Sequence, residues 1–458
     1  MKRKSVLLIV AVLLIAMFTL AGCSPKDDGL LDSYTIPQID LDATAMPADI
    51  ANEYKEMYGY DVVDDSIDYL AHPDAVQLDD GRMVIYYSKG HGRGAIGGKV
   101  SSDGKTWEEI KGLPISWQNS METPTVYKLQ MNRGTINEKS RYILISGCPT
   151  WGGKYKGNGF NVSLSDDGIS GWTEFQNFYG LDVNGKKGDN FVAPIVAMAS
   201  LTQLKDENGN WTNSWMGFFH DDNAYNYKSI LTFDDYGYMK WSAPEKYFAK
   251  YRKIEKKAFM CEVEVVRSEA GEGNELMLLA RSNGANRNKE MNSLMSISTD
   301  EGKTWSEPKQ LPAAVNGERH KAEWIKDNNG NNRLFITFRS ISKDSKNFKA
   351  VDETVGSGNG KWYSEGWVAW VGTFDDLKNG NEGQYRIKLA HTYLPGQTKS
   401  VLAANGDCGY SGNVVFDGGY KIMTSTYGMF PQSRDKTIIA SKVIDIKLID
   451  QLVAQMKK

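Results

Sequence analysis

The chain holds five histidines, and four of them fall at or beside the ends of predicted strands. His72 lies in Ala71-His72-Pro73-Asp74, and His91 in the loop Lys89-Gly90-His91-Gly92-Arg93-Gly94. His220 ends an apolar run at Trp215 to Phe219, and His320 begins another strand after Arg319. Imidazole titrates near neutral pH, so His91 is a candidate general acid. His72, Asp74, His220 and Asp221 are alternatively of the types that ligate zinc or manganese, although no spaced motif such as H-E-x-x-H accompanies them. The competing reading of each is a loop histidine held by its neighbours. Glu122, in Ser120-Met121-Glu122-Thr123-Pro124, is a carboxyl acid candidate should His91 not serve, and Asp222 and Trp151 with Gly152-Gly153 are further candidates. No phosphate loop, nicotinamide fingerprint or Ser-His-Asp elbow is present, which excludes NTPase, dehydrogenase and α/β-hydrolase classes.

The elements that must position these residues come in repeats. Ser298-Thr299-Asp300-Glu301-Gly302-Lys303-Thr304-Trp305 has the pattern S-x-D-x-G-x-T-W, and Ser101 to Trp107 repeats it with one residue fewer. Looser copies run from Ser165 to Trp172 and from Thr232 to Trp241, and Thr373-Phe374-Asp375-Asp376 is a fifth without its tryptophan. Asp103, Asp167, Asp235, Asp300 and Asp376 are 64, 68, 65 and 76 residues apart, the length of a four-stranded unit. Ser and Asp accept from turn N–H groups, Gly supplies positive φ and Trp packs on a neighbouring unit, so these carboxylates are structural.

Around each copy the same strand order recurs. An inner strand is predicted at residues 71–76, 121–129, 190–199, 260–266, 319–325 and 408–416. An apolar second strand follows each, for example at 83–87 or 276–280, and a third leads into the turn. Six such series predict an all-β, six-bladed β-propeller with Asp-box turns. The sixth series lacks a fourth strand, which a segment within Ser33 to Leu41 is expected to supply. Short helical segments are expected within Ala48 to Tyr60 and Asp450 to Lys458.

Composition fits. The 458 residues carry 54 basic and 57 acidic side chains for a net charge of −3, too little positive charge for a nucleic-acid partner. Three charges in Met1 to Lys4, the apolar stretch Ser5 to Leu20 and Leu20-Ala21-Gly22-Cys23 together read as a signal peptide. The last four residues resemble a bacterial lipobox, which implies lipidation of Cys23. The predicted organisation is therefore a signal peptide at 1–23, a tether at 24–32 and a single propeller at 33–458. The protein is expected to be a monomer in the cell envelope, lipid-anchored and extracytoplasmic, with the outer surface as one location. The remaining cysteines, Cys148, Cys261 and Cys408, are too few and scattered for a disulfide framework or a C-x-x-C metal site.

The repeats and their strand order resemble the sialidase (neuraminidase) superfamily of glycoside hydrolases, over residues 71 to about 445. Two motifs carry the likeness into the site. Cys261-Glu262-Val263-Glu264-Val265-Val266 precedes Leu278-Leu279-Ala280-Arg281, and Asp407-Cys408-Gly409-Tyr410-Ser411 lies on the sixth inner strand. The resemblance implies that Tyr410 is the nucleophile, Glu262 the base that takes its proton, and Arg281 one arginine of a carboxylate-binding triad. It implies hydrolysis of terminal, acidic, sialic-acid-type sugars from glycans. Beside Arg281, Arg319 and Arg339 can converge on a substrate carboxylate, and the strand ends that face the same funnel make His72, Asp74, Glu122, His220 and His320 candidates to contact the substrate. No cofactor or metal is required by that chemistry. The sequence also departs from the family. Ala71 stands where the first triad arginine belongs, residues 89–94 lack the acid/base aspartate, and residues 364–366 lack the third arginine. Two other functions fit these departures: a non-catalytic glycan-binding propeller, or a metal-dependent carbohydrate hydrolase using the histidines. Retained binding without turnover marks the first, and chelator-sensitive turnover the second.

Overall fold

The apolar runs form strands buried on both faces. Every residue of Met83–Ser88 is buried, as is all of Leu276–Arg281 but its last residue, because each strand lies between two neighbouring sheets. The computed structural model describes residues 34–91, 94–148, 159–182, 184–221, 223, 225–254, 260–282, 292–342, 363–390, 408–429 and 436–456. Within them are six antiparallel sheets. From the innermost strand outward, blade one is Ala71–Gln77, Met83–Ser88, Ile96–Ser101 and Glu108–Glu109. Blade two is Pro124–Met131, Lys139–Gly147, Phe160–Ser165 and Gln176–Phe178. Blade three is Ile195–Lys205, Trp211–His220, Asn226–Phe233 and Met239–Trp241, and blade four is Cys261–Arg267, Leu276–Arg281, Leu294–Ser298 and Lys309–Gln310. Gly317–Lys326, Asn332–Ser342, Tyr363–Gly372 and Tyr385–Ala390 make blade five; Asn413–Phe416, Lys421–Met429 and Ile438–Asp445 begin blade six. The protein is a six-bladed β-propeller.

The ring closes differently from the sequence-based expectation. Asp61–Asp64, not a segment of Ser33 to Leu41, pairs antiparallel with Ile438–Asp445 as the fourth strand of blade six. Gln38–Asp40 instead joins blade five, parallel to Tyr385–Ala390. The apolar residues decide this: Ile39 and Leu41 are buried in one cluster with Ile387, Leu389, Ile446 and Ile449. The buried Lys442 ammonium donates to the Leu41 carbonyl at 2.8 Å and the Met57 carbonyl at 2.9 Å, tying the N-terminal segment to blade six. The helix expected at residues 48–60 is only Asn52–Lys55, and the C-terminal one is longer than expected, Ile446–Met456.

Three of the repeated turns are built alike. Ser101 Oγ, Ser165 Oγ and Ser298 Oγ each bond the aspartate two positions on, Asp103, Asp167 and Asp300. The N–H groups of Gly104, Gly168 and Gly302 donate back to the same three hydroxyls. Each tryptophan reaches the preceding blade. Trp107 Nε1 donates to Ser441 Oγ at 3.0 Å, Trp172 Nε1 donates to Tyr86 Oη at 2.9 Å, and Trp305 lies edge-on to Phe218. In the fourth copy Asp234, rather than Asp235, accepts the turn N–H groups of Tyr236 and Tyr238. The fifth is no hairpin. Thr373 and Asp376 form the capping box of the helix Phe374–Asn379, which uses the same Ser/Thr and Asp chemistry at a helix start.

Gly104 shows how tightly these turns are seated. Its φ is +74°, and a Cβ would lie 2.9 Å from Met423 Cγ and Val443 Cγ2 of blade six. Gly104→Ala combines left-handed strain with overpacking and is expected to cost about 1–3 kcal/mol. A thermal melt checks it; turnover per folded molecule should not change.

Candidate active site

One backbone device aims most of the central side chains. In blades one, three, four and five the pairing of the two innermost strands slips at their funnel end, between Ala71 and Asp74, Ile195 and Ser200, Cys261 and Glu264, and Glu318 and Lys321. Inside the slips lie left-handed residues: His72 at φ 53°, Val196 at 49° with Met198 at 53°, Glu262 at 44° and Arg319 at 64°. Gly409, just before the inner strand of blade six, is left-handed as well, at 93°. Left-handed non-glycine residues cost of order 1–3 kcal/mol each, and they cluster where side chains must be re-aimed. The residues paired just before the slips are Ser88, His220, Arg281 and Arg339. Thus His72, Glu262 and Arg319 are equivalent positions, as are His220, Arg281 and Arg339.

At the centre, Tyr410 Oη donates to Glu262 Oε1 at 2.7 Å, and Arg281 Nη1 donates to Glu262 Oε2 at 2.6 Å. Arg319 sits over the Tyr410 ring, 4.4 Å from its centroid, with its Nε 3.9 Å from Glu262 Oε1. Arg319 Nη1 also donates to the Cys408 carbonyl at 2.6 Å and Tyr427 Oη at 2.9 Å. Burial alone would raise the Glu262 carboxyl, but the charges of Arg281 and Arg319 overcome it and hold the group well below the usual carboxylate range. Burial and then the Glu262 charge push the Tyr410 phenol well above its ordinary value. The resting pair is therefore a neutral phenol bonded to a carboxylate. Proton transfer between them is uphill at rest.

The three arginines converge, but on resident carboxylates. Arg281 Nη2 lies 2.9 Å from Glu318 Oε1, and Arg339 Nη2 is paired with Glu318 Oε2. Glu318 and Tyr427 were not singled out by the sequence. The signal for Glu318 was its place beside Arg319, yet only the strand register shows that it faces Arg339. Three guanidinium charges against Glu262 and Glu318 leave the cluster with a net charge of +1. Among the described residues, Arg281 Nε and Arg339 Nε and Nη1 are buried without a hydrogen-bond partner.

The remaining predicted residues divide. His72 packs edge-on to both Tyr410 and Tyr427, at 4.6 and 4.7 Å between ring centroids. His91 is exposed at the rim, 5.3 Å from the His72 ring, with Nδ1 3.3 Å from Tyr69 Oη. His220 is buried in the electrostatic field of Glu262 and Arg281, and burial pushes its imidazole down to about 4. Burial brings His320 to about 4 as well; its Nε2 donates to the Val315 carbonyl at 2.9 Å and its ring stacks on Phe338. Asp74 lines the central cavity and also ties blades together. Its oxygens accept from Ala75 N, Val126 N and Lys321 Nζ at 3.0, 2.9 and 3.3 Å, so it joins blades one, two and five. Among the described residues no three His, Cys, Asp or Glu side chains come together as metal ligands. Cys148, Cys261 and Cys408 are free and buried. Cys23, Trp151 with Gly152-Gly153, Asp222 and His391 lie outside the described residues. A small cavity opens beside the pair, walled by Pro73, Thr123, Val196, Glu262, Arg319 and Tyr410 among others.

No family model matches this chain, and no curated protein matches it in sequence. Solved structures do match. A protein of unknown function from Dyadobacter fermentans aligns over 85% of this chain and 97% of its own, at 16% identity and a TM-score of 0.53. The GH93 alpha-L-arabinofuranosidase of Fusarium graminearum, in complex with arabinobiose, aligns over 84% and 97% at 12% identity and a TM-score of 0.51. The NanB sialidase of Streptococcus pneumoniae aligns over 88% and 73% at 11% identity and a TM-score of 0.50. The fold is the sialidase-like propeller. In this sialidase-like ring the Tyr410–Glu262–Arg281 chain bridges blades six and four, and the slipped inner strands hold it at the centre.

Proposed function

We propose that the protein is an exo-acting, retaining glycoside hydrolase in which Tyr410 attacks the anomeric carbon and Glu262 receives its proton. The observation that carries this reading is the 2.7 Å bond from the Tyr410 phenol to a buried carboxylate that is itself gripped by Arg281. A phenol without a proton acceptor is a poor nucleophile, and Tyr410 has its acceptor at the central end of the inner strands. The site takes a terminal sugar with one acidic group. Support comes from the net +1 of the arginine cluster and from its unpartnered Arg281 and Arg339 N–H groups. Glu318 competes for the same guanidinium groups, so the grip on an anion is weaker than three free arginines would give. The test is a screen of 4-methylumbelliferyl glycosides, acidic and neutral, with the anomeric configuration of the first product followed by NMR. Retention supports the reading; inversion, or turnover that chelator abolishes, sinks it.

Glu318 supplies its own prediction. Glu318→Gln leaves Arg281 and Arg339 without their shared charge, a change that destabilises buried pairs by about 3–5 kcal/mol. N-acetylneuraminate should raise the melting temperature of this variant more than that of the wild type, while arabinose should raise neither. Equal shifts in both proteins would show that the arginines do not meet the sugar.

We further propose that the enzyme acts outside the cytoplasm on a lipid tether at Cys23, supported by the charged, apolar and small-residue series of residues 1–23. Radiolabelled palmitate incorporation that Cys23→Ala abolishes is the expected result.

A further inference from the structure

We propose that Glu122 is the acid that protonates the departing aglycone oxygen, the role left empty by the loop at residues 89–94. The inference rests on the glycosidase reading above. Glu122 is only 3% exposed at the start of the inner strand of blade two. Its Oε1 accepts from Thr123 N at 2.9 Å and Thr123 Oγ1 at 3.0 Å, and the Val196 backbone also holds the carboxyl. Thr123 and Val196 both wall the cavity that Tyr410 and Glu262 share, so the carboxyl lies immediately behind that wall. Among the described residues its Oε2 is buried with no hydrogen-bond partner. An unpartnered buried oxygen costs about 1–3 kcal/mol, and such groups persist where a function uses them.

The charges around it set the protonation. The charges of Glu262 in blade four and Glu122 act on each other, Glu122 also acts on the Tyr410 phenol of blade six, and it acts on Cys148 in its own blade. Burial first, then the Glu262 charge, raise its carboxyl to about 7 against the pull of the Thr123 and Val196 bonds. A carboxylic acid that keeps its proton at neutral pH beside a permanently ionised one is the division of labour that retaining hydrolysis needs. In the first step the Tyr410 oxygen bonds to the anomeric carbon and the bond to the aglycone oxygen breaks. The phenolic proton goes to Glu262 and the Glu122 proton to the leaving oxygen. In the second, water attacks the anomeric carbon, Glu122 takes its proton, and the Tyr410 oxygen leaves and recovers its own from Glu262. His91, exposed at the rim, is the rival acid.

The test compares Glu122→Gln, Glu122→Ala and His91→Asn with wild type on 4-nitrophenyl and methyl glycosides of N-acetylneuraminic acid and of L-arabinofuranose. Glu122→Gln is expected to slow methyl glycosides by roughly 10²–10⁴-fold, and 4-nitrophenyl glycosides, whose leaving group needs no proton, by less than about tenfold. Wild-type turnover of methyl glycosides should fall as pH rises through about 7, where the acid loses its proton, and this limb should vanish in Glu122→Gln. Azide should rescue Glu122→Ala and yield a glycosyl azide, an outcome a misfolded variant cannot give. Equal losses on both leaving groups, an unchanged alkaline limb, or transfer of that limb to His91→Asn overturns the proposal. Wild-type silence on every glycoside overturns the hydrolase reading itself, and Glu122 with it.

Discussion

Tyr410→Phe should abolish turnover while leaving substrate binding and the fold in place, with a loss in kcat of at least about 10³-fold, since removing a nucleophile leaves only the catalysis that binding and electrostatics supply. The phenyl ring keeps the contacts that position it: the Arg319 guanidinium over its face, the edge-on His72 ring and the tilted Tyr427 ring. Only the hydrogen bond to Glu262 is lost, and Glu262 retains its bond from Arg281. Single-turnover kinetics and a binding titration with N-acetylneuraminate measure the two halves separately. A variant that turns over at near wild-type rate would show that the ring kept the scaffold and that chemistry lies elsewhere, with His72, His91 and His220 next in line.

The second large effect is expected from Glu262→Gln, a loss of roughly 10²–10⁴-fold. The amide keeps the shape of the carboxylate but cannot accept a full proton from Tyr410. It also leaves Arg281 and Arg319 beside a neutral group, so the cluster becomes more positive. That second consequence separates the base from a structural role: anion binding should tighten in Glu262→Gln even as kcat falls. Loss of binding and rate together would mark Glu262 as scaffold for Arg281 alone.

The fold was legible because its signals are local. The Ser and Asp of residues 101–107, 165–172 and 298–305 bond their own turns, so a short segment carries the instruction. Thr373 to Asp376 misled for the same reason, since the spacing that closes a hairpin turn also caps a helix. The closing strand was illegible. Asp61-Val62-Val63-Asp64 is short and half polar, and its partner lies near the opposite end of the chain. Tyr410, Glu262 and Arg281 were reached through family likeness, which chain spacing alone does not give. Glu318 escaped because its neighbours are set by where each inner strand slips, and a one-residue difference in register turns a side chain to the other face. The orphaned oxygen of Glu122 exists only once three blades meet around it.

The clasp formed by Asp61–Asp64 has a consequence for when the protein becomes active. Blade six and blade one are neighbours in space but not in order of synthesis, and the seam between them holds Tyr410 on one side and His72 on the other. Leu70 N bonds to the Thr437 carbonyl at 3.1 Å and Tyr87 bonds to Asp64 along the same seam. A chain that emerges N-terminus first holds those early residues unpaired until the final strand, Ile438–Asp445, arrives to receive them. Entropy delays such long-range closure relative to the local hairpins of each blade. Tyr410 thus acquires its surroundings at the last step of assembly, and a partly synthesised chain lacks the completed centre.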